Sequence, residues 1–275
     1  MADQVSLAGW SLVRRFRRQD EPLTLLQFPR IAREEFGFEA IELNSPFFVA
    51  RDDAYLAELR ARTAEAGVIP LGIAVDAEGD LAGLDEGARA LAVRNHITWF
   101  DIAATLGCRF VRANLGGRDT PDEAAALRAG IASFTALARA AGERGVVVTL
   151  ENHWGLSTSP ESMVRVFDAV ASPHLGALVD FGNFPADTRY ASLARIAPYA
   201  VAAHAKFGDF DEAGEPIGID IARCIGILRD ANYSGTWGIE FEGRGDERDG
   251  IPRAKSLLSR LLDQPHSPGA TPRPE

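Results

Sequence analysis

Four apolar runs in this chain close on residues that can hold a cation. Residues 146–153 end in Glu151 and His153, residues 175–180 in Asp180, residues 201–206 in His204 and Lys206, and residues 236–242 in Glu240 and Glu242. Carboxylate oxygen and imidazole nitrogen are donors that divalent ions take. One acid at the end of one strand means little. Glu151, Asp180, His204 and Glu240, closing four successive strands, describe a ring of O and N donors around one point. The same residues can instead form a buried layer of ion pairs, with Glu240 against Lys206 or Arg112. Buried acids without partners are costly, so some partner must exist. Lys206 alone cannot neutralise three acids. A divalent cation can, and it is the stronger reading.

Such a ring needs a frame that brings many strand ends to one place. Short β-rich runs alternate with helical patterns at a spacing of about thirty residues, as βα units require. The patterns predict strands at 5–11, 38–44, 68–75, 109–115, 146–152, 176–182, 201–207 and 236–242. Helices are expected between them: Asp53 to Ala66, Asp85 to Leu106, a segment from Thr120 to Glu143, one opening at Ser159, Asp220 to Ala231, and Arg248 to Leu262. Thr120-Pro121-Asp122-Glu123 reads as an N-cap, a proline at the first helical position and an acidic first turn. Between 184 and 199 the pattern is weaker, with one short helix around Ser192.

Eight strand–helix units allow a closed barrel or an open doubly wound sheet. No Gly-x-Gly-x-x-Gly follows the first strand, and the polar residues close many strands, not one switch point. Both facts select an α/β fold that is a single (β/α)8 TIM barrel over residues 1–263. Residues 264–275 are Pro-rich without an apolar pattern and are expected to be a disordered, flexible tail.

The length of 275 residues suits one such barrel. Lys and Arg number 29 against 39 Asp and Glu, for a formal net charge of −10. An acidic surface repels polyanions, so no nucleic-acid partner is expected. The one basic cluster, Arg14, Arg15, Arg17 and Arg18, reads as a solvated loop after the first strand, ahead of a phosphate or acidic-partner site. Cys108 and Cys224 read as buried small hydrophobes. No basic-plus-apolar leader and no apolar run of membrane-spanning length is present, so a cytoplasmic location with no membrane partner is expected.

The strand ends also carry recognisable motifs: Ile41-Glu42-Leu43, Leu150-Glu151-Asn152-His153, Val179-Asp180-Phe181-Gly182-Asn183, His204-Ala205-Lys206 and Ile239-Glu240-Phe241-Glu242. Together they resemble the xylose-isomerase-like TIM-barrel superfamily, in the sugar isomerase/epimerase branch that shares a domain with type-2 AP endonucleases. The likeness runs over residues 5–262. It implies a metal-dependent ketose epimerase or aldose–ketose isomerase. It also implies that Glu151, Asp180, His204 and Glu240 bind one divalent cation, Mn²⁺ first, with Mg²⁺ or Co²⁺ as alternatives. In such enzymes Glu151 and Glu240 would double as acid and base on opposite faces of a bound ketose. The cation would acidify the C–H beside the carbonyl and hold the enediolate that forms. The family pattern selects Glu240 over Glu242 as the ligand. One departure stands out. Many relatives have histidine three residues after the strand-six aspartate, where this chain has Asn183. Asparagine can hydrogen-bond a hydroxyl but cannot shuttle a proton.

His153 shares a face with Glu151 by strand alternation. It reads equally as a separate base and as a histidine supporting a ligand. Lys206 shares a face with His204 and can stabilise oxyanion charge or pair with Glu240 or Glu242. Glu42, Asn114 and Asn183 are expected to bind substrate hydroxyls at the mouth. Trp10 and Trp154, with Phe47, Phe48 and Phe184, are placed to meet the C–H face of a sugar or a planar aglycone, or to close the rim. The acidic loop 208–212 argues for an unphosphorylated substrate. The expected partner is a small-molecule sugar or sugar derivative, with a homo-oligomer left open.

A lyase on the same scaffold is the second reading: a keto-polyol dehydratase, or an enzyme that eliminates a leaving group from a 3-keto-glycoside. An AP endonuclease is disfavoured, because that chemistry needs a histidine-rich zinc cluster. The chain has five histidines, and His96, His174 and His266 fall away from the mouth. A non-catalytic sugar-binding protein is disfavoured by the cost of a buried charged ring.

Overall fold

The computed structural model describes residues 4–118 and 120–265. Its strands are β1 (Gln4–Ala8), β2 (Ala40–Asn44), β3 (Ile69–Ala74), β4 (Phe110–Ala113), β5 (Val147–Glu151), β6 (Leu175–Asp180), β7 (Ala200–Phe207) and β8 (Thr236–Phe241). They pair in parallel in chain order, and β8 closes on β1. The helices are α1 (Val13–Phe16), α2 (Phe28–Glu34), α3 (Asp53–Glu65), α4 (Glu86–Leu106), α5 (Glu123–Glu143), α6 (Pro160–Val170), α7 (Arg189–Ile196), α8 (Ile221–Asp230) and α9 (Glu247–Leu262). This is the (β/α)8 TIM barrel that the alternation predicts.

Parallel strands covered on both faces are apolar on both, and here the two faces separate cleanly. Ile41, Val111, Val148, Val179 and Ile239 belong to the large core that also holds Trp99 and Phe134 of the helices. Ala40, Leu71, Phe110, Leu178 and Ala202 form a second cluster. By alternation, Ala40, Phe110, Leu178 and Ala202 lie two residues before Glu42, Arg112, Asp180 and His204 on the same faces. An apolar plug therefore underlies a charged layer inside the barrel.

Most expected helix starts hold. Asp85, Ser159 and Asp220 cap α4, α6 and α8 by accepting from Ala88, Ser162 and Arg223 backbone N–H groups. The start of α5 differs from the Thr120 expectation. Asp122 is the cap, accepting from Ala125 N at 2.9 Å, and a carboxylate at that position is a stronger acceptor than threonine.

The first strand is shorter than the 5–11 expected. Gly9–Leu12 forms a 3-10 turn. The Ser11 hydroxyl donates to Ile239 O at 3.1 Å and accepts from Phe241 N at 2.9 Å, so a side chain replaces the backbone ladder there. The basic cluster that follows is also not simply a solvated loop. Arg15 binds Glu35 at 2.8 Å and Glu247 at 2.9 Å, and Arg14 binds Glu247 at 3.0 Å. These arginines lace α1 to the start of α9.

Cys108 and Cys224 are buried free thiols, and burial raises both pKa values. Among the described residues no helix is long and apolar enough to cross a membrane. Residues 266–275 of the expected tail lie outside the described residues.

Candidate metal centre

The closing residues of β5 to β8 meet at the carboxyl end of the barrel. Asp180 pairs in register with His204, and Lys206 with Glu240. Glu151, Asp180 and His204 are buried, and one ligand-type atom from each lies within 4.8 Å of the others. Glu151 Oε2, Asp180 Oδ2 and His204 Nδ1 have no hydrogen-bond partner among the described residues. Buried polar atoms without hydrogen bonds are expensive; Glu151 Oε2 and Asp180 Oδ2 have only the charges of Arg112 at 2.9 Å and Lys206 at 3.3 Å, and His204 Nδ1 faces Glu151 Oε1 at 4.0 Å. Two carboxylate oxygens and one imidazole nitrogen fit a divalent cation.

Asp180 and His204 are each held by supporting contacts. Asp180 Oδ1 accepts from the N–H groups of Gly182 at 2.7 Å and Asn183 at 2.9 Å, which leaves Oδ2 for the centre. Asn152 brackets the Asp180 backbone, accepting from its N–H at 2.8 Å and donating to its carbonyl at 2.9 Å. Glu42 Oε2 lies 2.8 Å from His204 Nε2, and Ser6 Oγ donates to Glu42 Oε1 at 2.6 Å. When the imidazole gives up one proton, Glu42 retains the one on Nε2, and Nδ1 becomes the lone pair facing Glu151 and Glu240.

Glu240 stands just outside the triad. Its Oε2 is 3.0 Å from Lys206 Nζ, and its Oε1 is 4.0 Å from His204 Nδ1. Lys206 also faces Asp180 Oδ2 at 3.3 Å and Glu242 Oε1 at 3.4 Å, and donates to Asn183 Oδ1 at 3.0 Å. Both readings of the charged layer are therefore present: the acids have an ion-pair partner, and ligand atoms are left over.

The charges are unequal. Burial works against a charged imidazole, but the carboxylates of Glu42, Glu240 and Glu151 outweigh it and push His204 up to about 10. Burial, helped by Glu240 and Glu151, pushes Asp180 up to about 7 against the pull of Lys206. Burial also raises Glu151 despite Arg112. For Glu240 the burial is outweighed by Lys206 and His204, and it falls to about 2. Lys206 itself rises, because its acidic neighbours overcome its burial.

On the other side of Glu151 stands a second network. Arg112 Nε is 2.9 Å from Glu151 Oε2, an ion pair off the hydrogen-bonding line. Its Nη1 donates to Asp76 Oδ1 at 2.7 Å and to Val75 O at 2.8 Å. Asn114 Nδ2 donates to the same Asp76 oxygen at 3.2 Å, and Asn114 Oδ1 lies 3.1 Å from His153 Nδ1. Asp76 was not among the sequence candidates, and Arg112 entered only as an ion-pair partner. A lone arginine at an inward position of an apolar strand was the available signal.

The remaining candidates fall as follows. Glu42 is buried behind His204, not free at the mouth. Asn183 bridges Lys206 and Glu151, donating to Glu151 Oε1 at 3.3 Å. Trp154 lies under Arg118, 4.7 Å from guanidinium carbon to ring centre. Trp10 stacks on Phe47 and carries Arg17 at 4.9 Å. Phe47 and Phe184 are buried and close the rim. A cavity of 690 Å³ is lined by Asp76, Leu84, Asn114, Arg118, Pro121 and Trp154, and Asn114 joins it to His153. A larger one, of 960 Å³, lies against α2 and α3 and contains none of the charged layer.

The loops that carry these groups are pinned to each other. Gly116 and Gly155 form a bridge, and both have positive φ. A Cβ on Gly155 would stand 2.2 Å from Gly116 O, so only glycine fits this crossing.

Comparison with known proteins follows the same lines. Among solved structures, an L-ribulose 3-epimerase matches with a TM-score of 0.75 and 18% identity, over 95% of this chain and 95% of that one. The IOLI protein with a bound zinc atom matches at 0.75 and 17%, over 94% and 98%. A xylose isomerase-like TIM barrel protein from Mycobacterium smegmatis in complex with magnesium matches at 0.69 and 18%, over 95% and 95%. At these identities the likeness shows the fold. No curated protein sequence matches the chain. The sequence model of the xylose isomerase-like TIM barrel family matches residues 31–261, and the chain belongs to that family.

Proposed function

We propose that this chain is a divalent-cation-dependent enzyme that epimerises a ketose or interconverts an aldose and a ketose. The observation that carries the reading is the convergence of Glu151, Asp180 and His204 within 4.8 Å, each with an atom that no hydrogen bond uses. Family membership and the likeness to an L-ribulose 3-epimerase agree with it. The neighbours that hold zinc and magnesium agree with a divalent cation.

Glu151, Asp180, His204 and Glu240 would hold the cation, with Mn²⁺ favoured over Mg²⁺ or Co²⁺. When bound, it polarises the substrate carbonyl and offsets charge developing on oxygen. The protein's own residues supply the proton transfers. Glu151 Oε1 and Glu240 Oε1 each lie 4.0 Å from His204 Nδ1. A carbon set between them meets a carboxylate on either side. One carboxylate takes the proton, and the C–H electron pair moves into an enediolate. Return of a proton from the other side gives the epimer, and return to the neighbouring carbon gives the isomer. Lys206 holds Glu240 ionised and fixes the Asn183 amide. Asn183 is then left with one N–H for a substrate hydroxyl.

A second reading, elimination from a keto-sugar, is favoured by one observation. His153, with Nδ1 3.8 Å from Glu151 and no described partner on Nε2, is held by Asn114, which lines a cavity of 690 Å³ that suits a departing group. Nucleic acid is the weaker substrate class. Among the described residues one cluster of metal-holding side chains is found, His96 is sealed inside α4, and His174 packs against Gly142.

The test is turnover of ketoses by metal-stripped protein in ²H₂O. Stripped protein should be inactive and Mn²⁺ should restore it. Recovered sugar should carry solvent deuterium beside the carbonyl. Water loss or a released aglycone would mark the lyase instead. Full activity without metal, or recovered product with no solvent hydrogen, would overturn the proposal.

A further inference from the structure

The His153 side chain is held at one nitrogen and open at the other. Nδ1 lies 3.1 Å from Asn114 Oδ1. Nε2 has no described partner and is not among the buried orphan atoms, and the side chain is 35% exposed. The backbone beneath it is fixed, because its N–H donates to Ser157 Oγ at 3.1 Å, which in turn donates to Trp154 O at 3.0 Å. Which nitrogen of this ring carries the proton decides whether the site receives a donor or an acceptor.

The surrounding groups settle that choice by elimination. The Asp76 carboxylate is an acceptor only, and Arg112 holds its Oδ1 at 2.7 Å. The end of the Asn114 amide that meets this oxygen at 3.2 Å must therefore be its NH₂. The other end, facing His153, must be the carbonyl oxygen, which cannot donate. Nδ1 must then bear the hydrogen of this contact, and in the neutral ring Nε2 is left with the lone pair.

We propose that Asp76 is a positioning residue which, through Asn114, fixes His153 as the Nδ1–H tautomer and so presents Nε2 as a hydrogen-bond acceptor beside the metal centre. A polarity set by a carboxylate on the loop after β3 is relayed across β4 to a ring on the loop after β5. The acceptor suits a substrate hydroxyl, or a proton taken from one without use of the cation's ligands. That use rests on the sugar-enzyme reading above, whereas the tautomer does not.

The experiment is ring-¹⁵N histidine NMR on the full chain, stripped of metal, at a pH above the ordinary histidine range of about 6.5. His153→Gln assigns the signal by subtraction. In the unaltered protein His153 should read as Nδ1–H with an unprotonated Nε2. In Asn114→Leu the constraint is gone, and the Nε2–H form should dominate. In Asp76→Ala the acceptor is gone and either end of the Asn114 amide can face His153, so the two tautomers should mix. This variant also carries the test if Asn114→Leu does not fold. An Nε2–H ring in the unaltered protein would overturn the proposal. So would Nδ1–H persisting in both variants, because Glu151 Oε2, 3.8 Å from Nδ1, would then be the group that sets it.

Discussion

The carboxylate of Glu42 on β2 reaches 2.8 Å from Nε2 of His204 on β7, across the inside of the barrel. Two strands, β1 and β8, lie between them in the sheet. The path is open because the intervening inward positions are small. Ser6 on β1 pairs in register with Gly238 on β8, and Gly238 pairs with His204. Ser6 also donates to Glu42, so the carboxylate is held from the side as well. A buried histidine with a carboxylate behind it is a better-oriented and more basic ligand than a free imidazole.

Glu42→Leu should therefore act on the cation, not on the sugar. Losing the partner behind a ligating histidine typically costs about 10–100-fold in metal affinity. Calorimetric titration of stripped protein with Mn²⁺ checks this. An unchanged affinity with a raised KM would return Glu42 to the substrate-binding role expected from the sequence.

Gly238→Ala should reproduce that defect from the other side. The added Cβ would lie 2.4 Å from Glu42 Oε1 and 2.8 Å from His204 Cδ2. Overpacking of this kind costs roughly 1–3 kcal/mol of stability. Denaturant midpoints give the stability change, and Mn²⁺ titration should show affinity falling with it. A variant as stable and as metal-avid as the parent would mean the pair has room to move aside.

Glu240→Gln and Glu242→Gln should separate sharply although two residues apart. Glu240 is buried against Lys206 and beside His204, while Glu242 is exposed and meets Lys206 at 3.4 Å. A positioned acid–base group is worth about 10²–10⁴-fold in rate, and loss of a ligand adds to that. Turnover at saturating metal should collapse for Glu240→Gln and change little for Glu242→Gln. The reverse order would place the chemistry on the rim.

His96 should make the fold sensitive to mild acid independently of the metal centre. It is buried in α4 with Nδ1–H donating to Ala92 O at 2.8 Å. Burial, with Arg112 nearby, lowers its pKa against the opposing pull of the Ala92 carbonyl, Glu78 and Asp76. The folded ring is thus neutral where an unfolded one, titrating near about 6.5, takes up a proton. Its contribution is fully present above that unfolded value and is lost as pH falls toward the lower folded one. Guanidinium midpoints at about pH 7 and about pH 5 should fall further for the parent than for His96→Phe. Parallel slopes would show that His96 does not titrate on unfolding.

The sequence by itself determined the frame and the cast. Strand alternation put Glu151, Asp180, His204 and Glu240 inward, because a period of two depends on one strand alone. Helix starts at Asp85, Ser159 and Asp220 were legible for the same reason, since a cap bonds within its own first turn. Where a local rule competed with packing it failed. The first strand stopped at Ala8 because Ser11 turns onto β8, and Arg14 and Arg15 of the basic cluster became ion-paired because α9 brings Glu247 to them.

Only the tertiary structure decided how those residues divide their work. The sequence offered Glu42 and Asn114 as two similar mouth residues. Closure of the barrel made one the support of His204 and the other a relay from Asp76 to His153. The ladder also shifts register between Ile41 and Glu42 and between Ala177 and Leu178, just before Glu42 and Asp180. Such contacts depend on how eight strands stagger around a closed sheet, and on the small size of side chains such as Ser6 and Gly238. The physical reason is range: periodicity is set by neighbours along the chain, whereas Glu42 and His204, 162 residues apart, meet only when the last strand closes on the first.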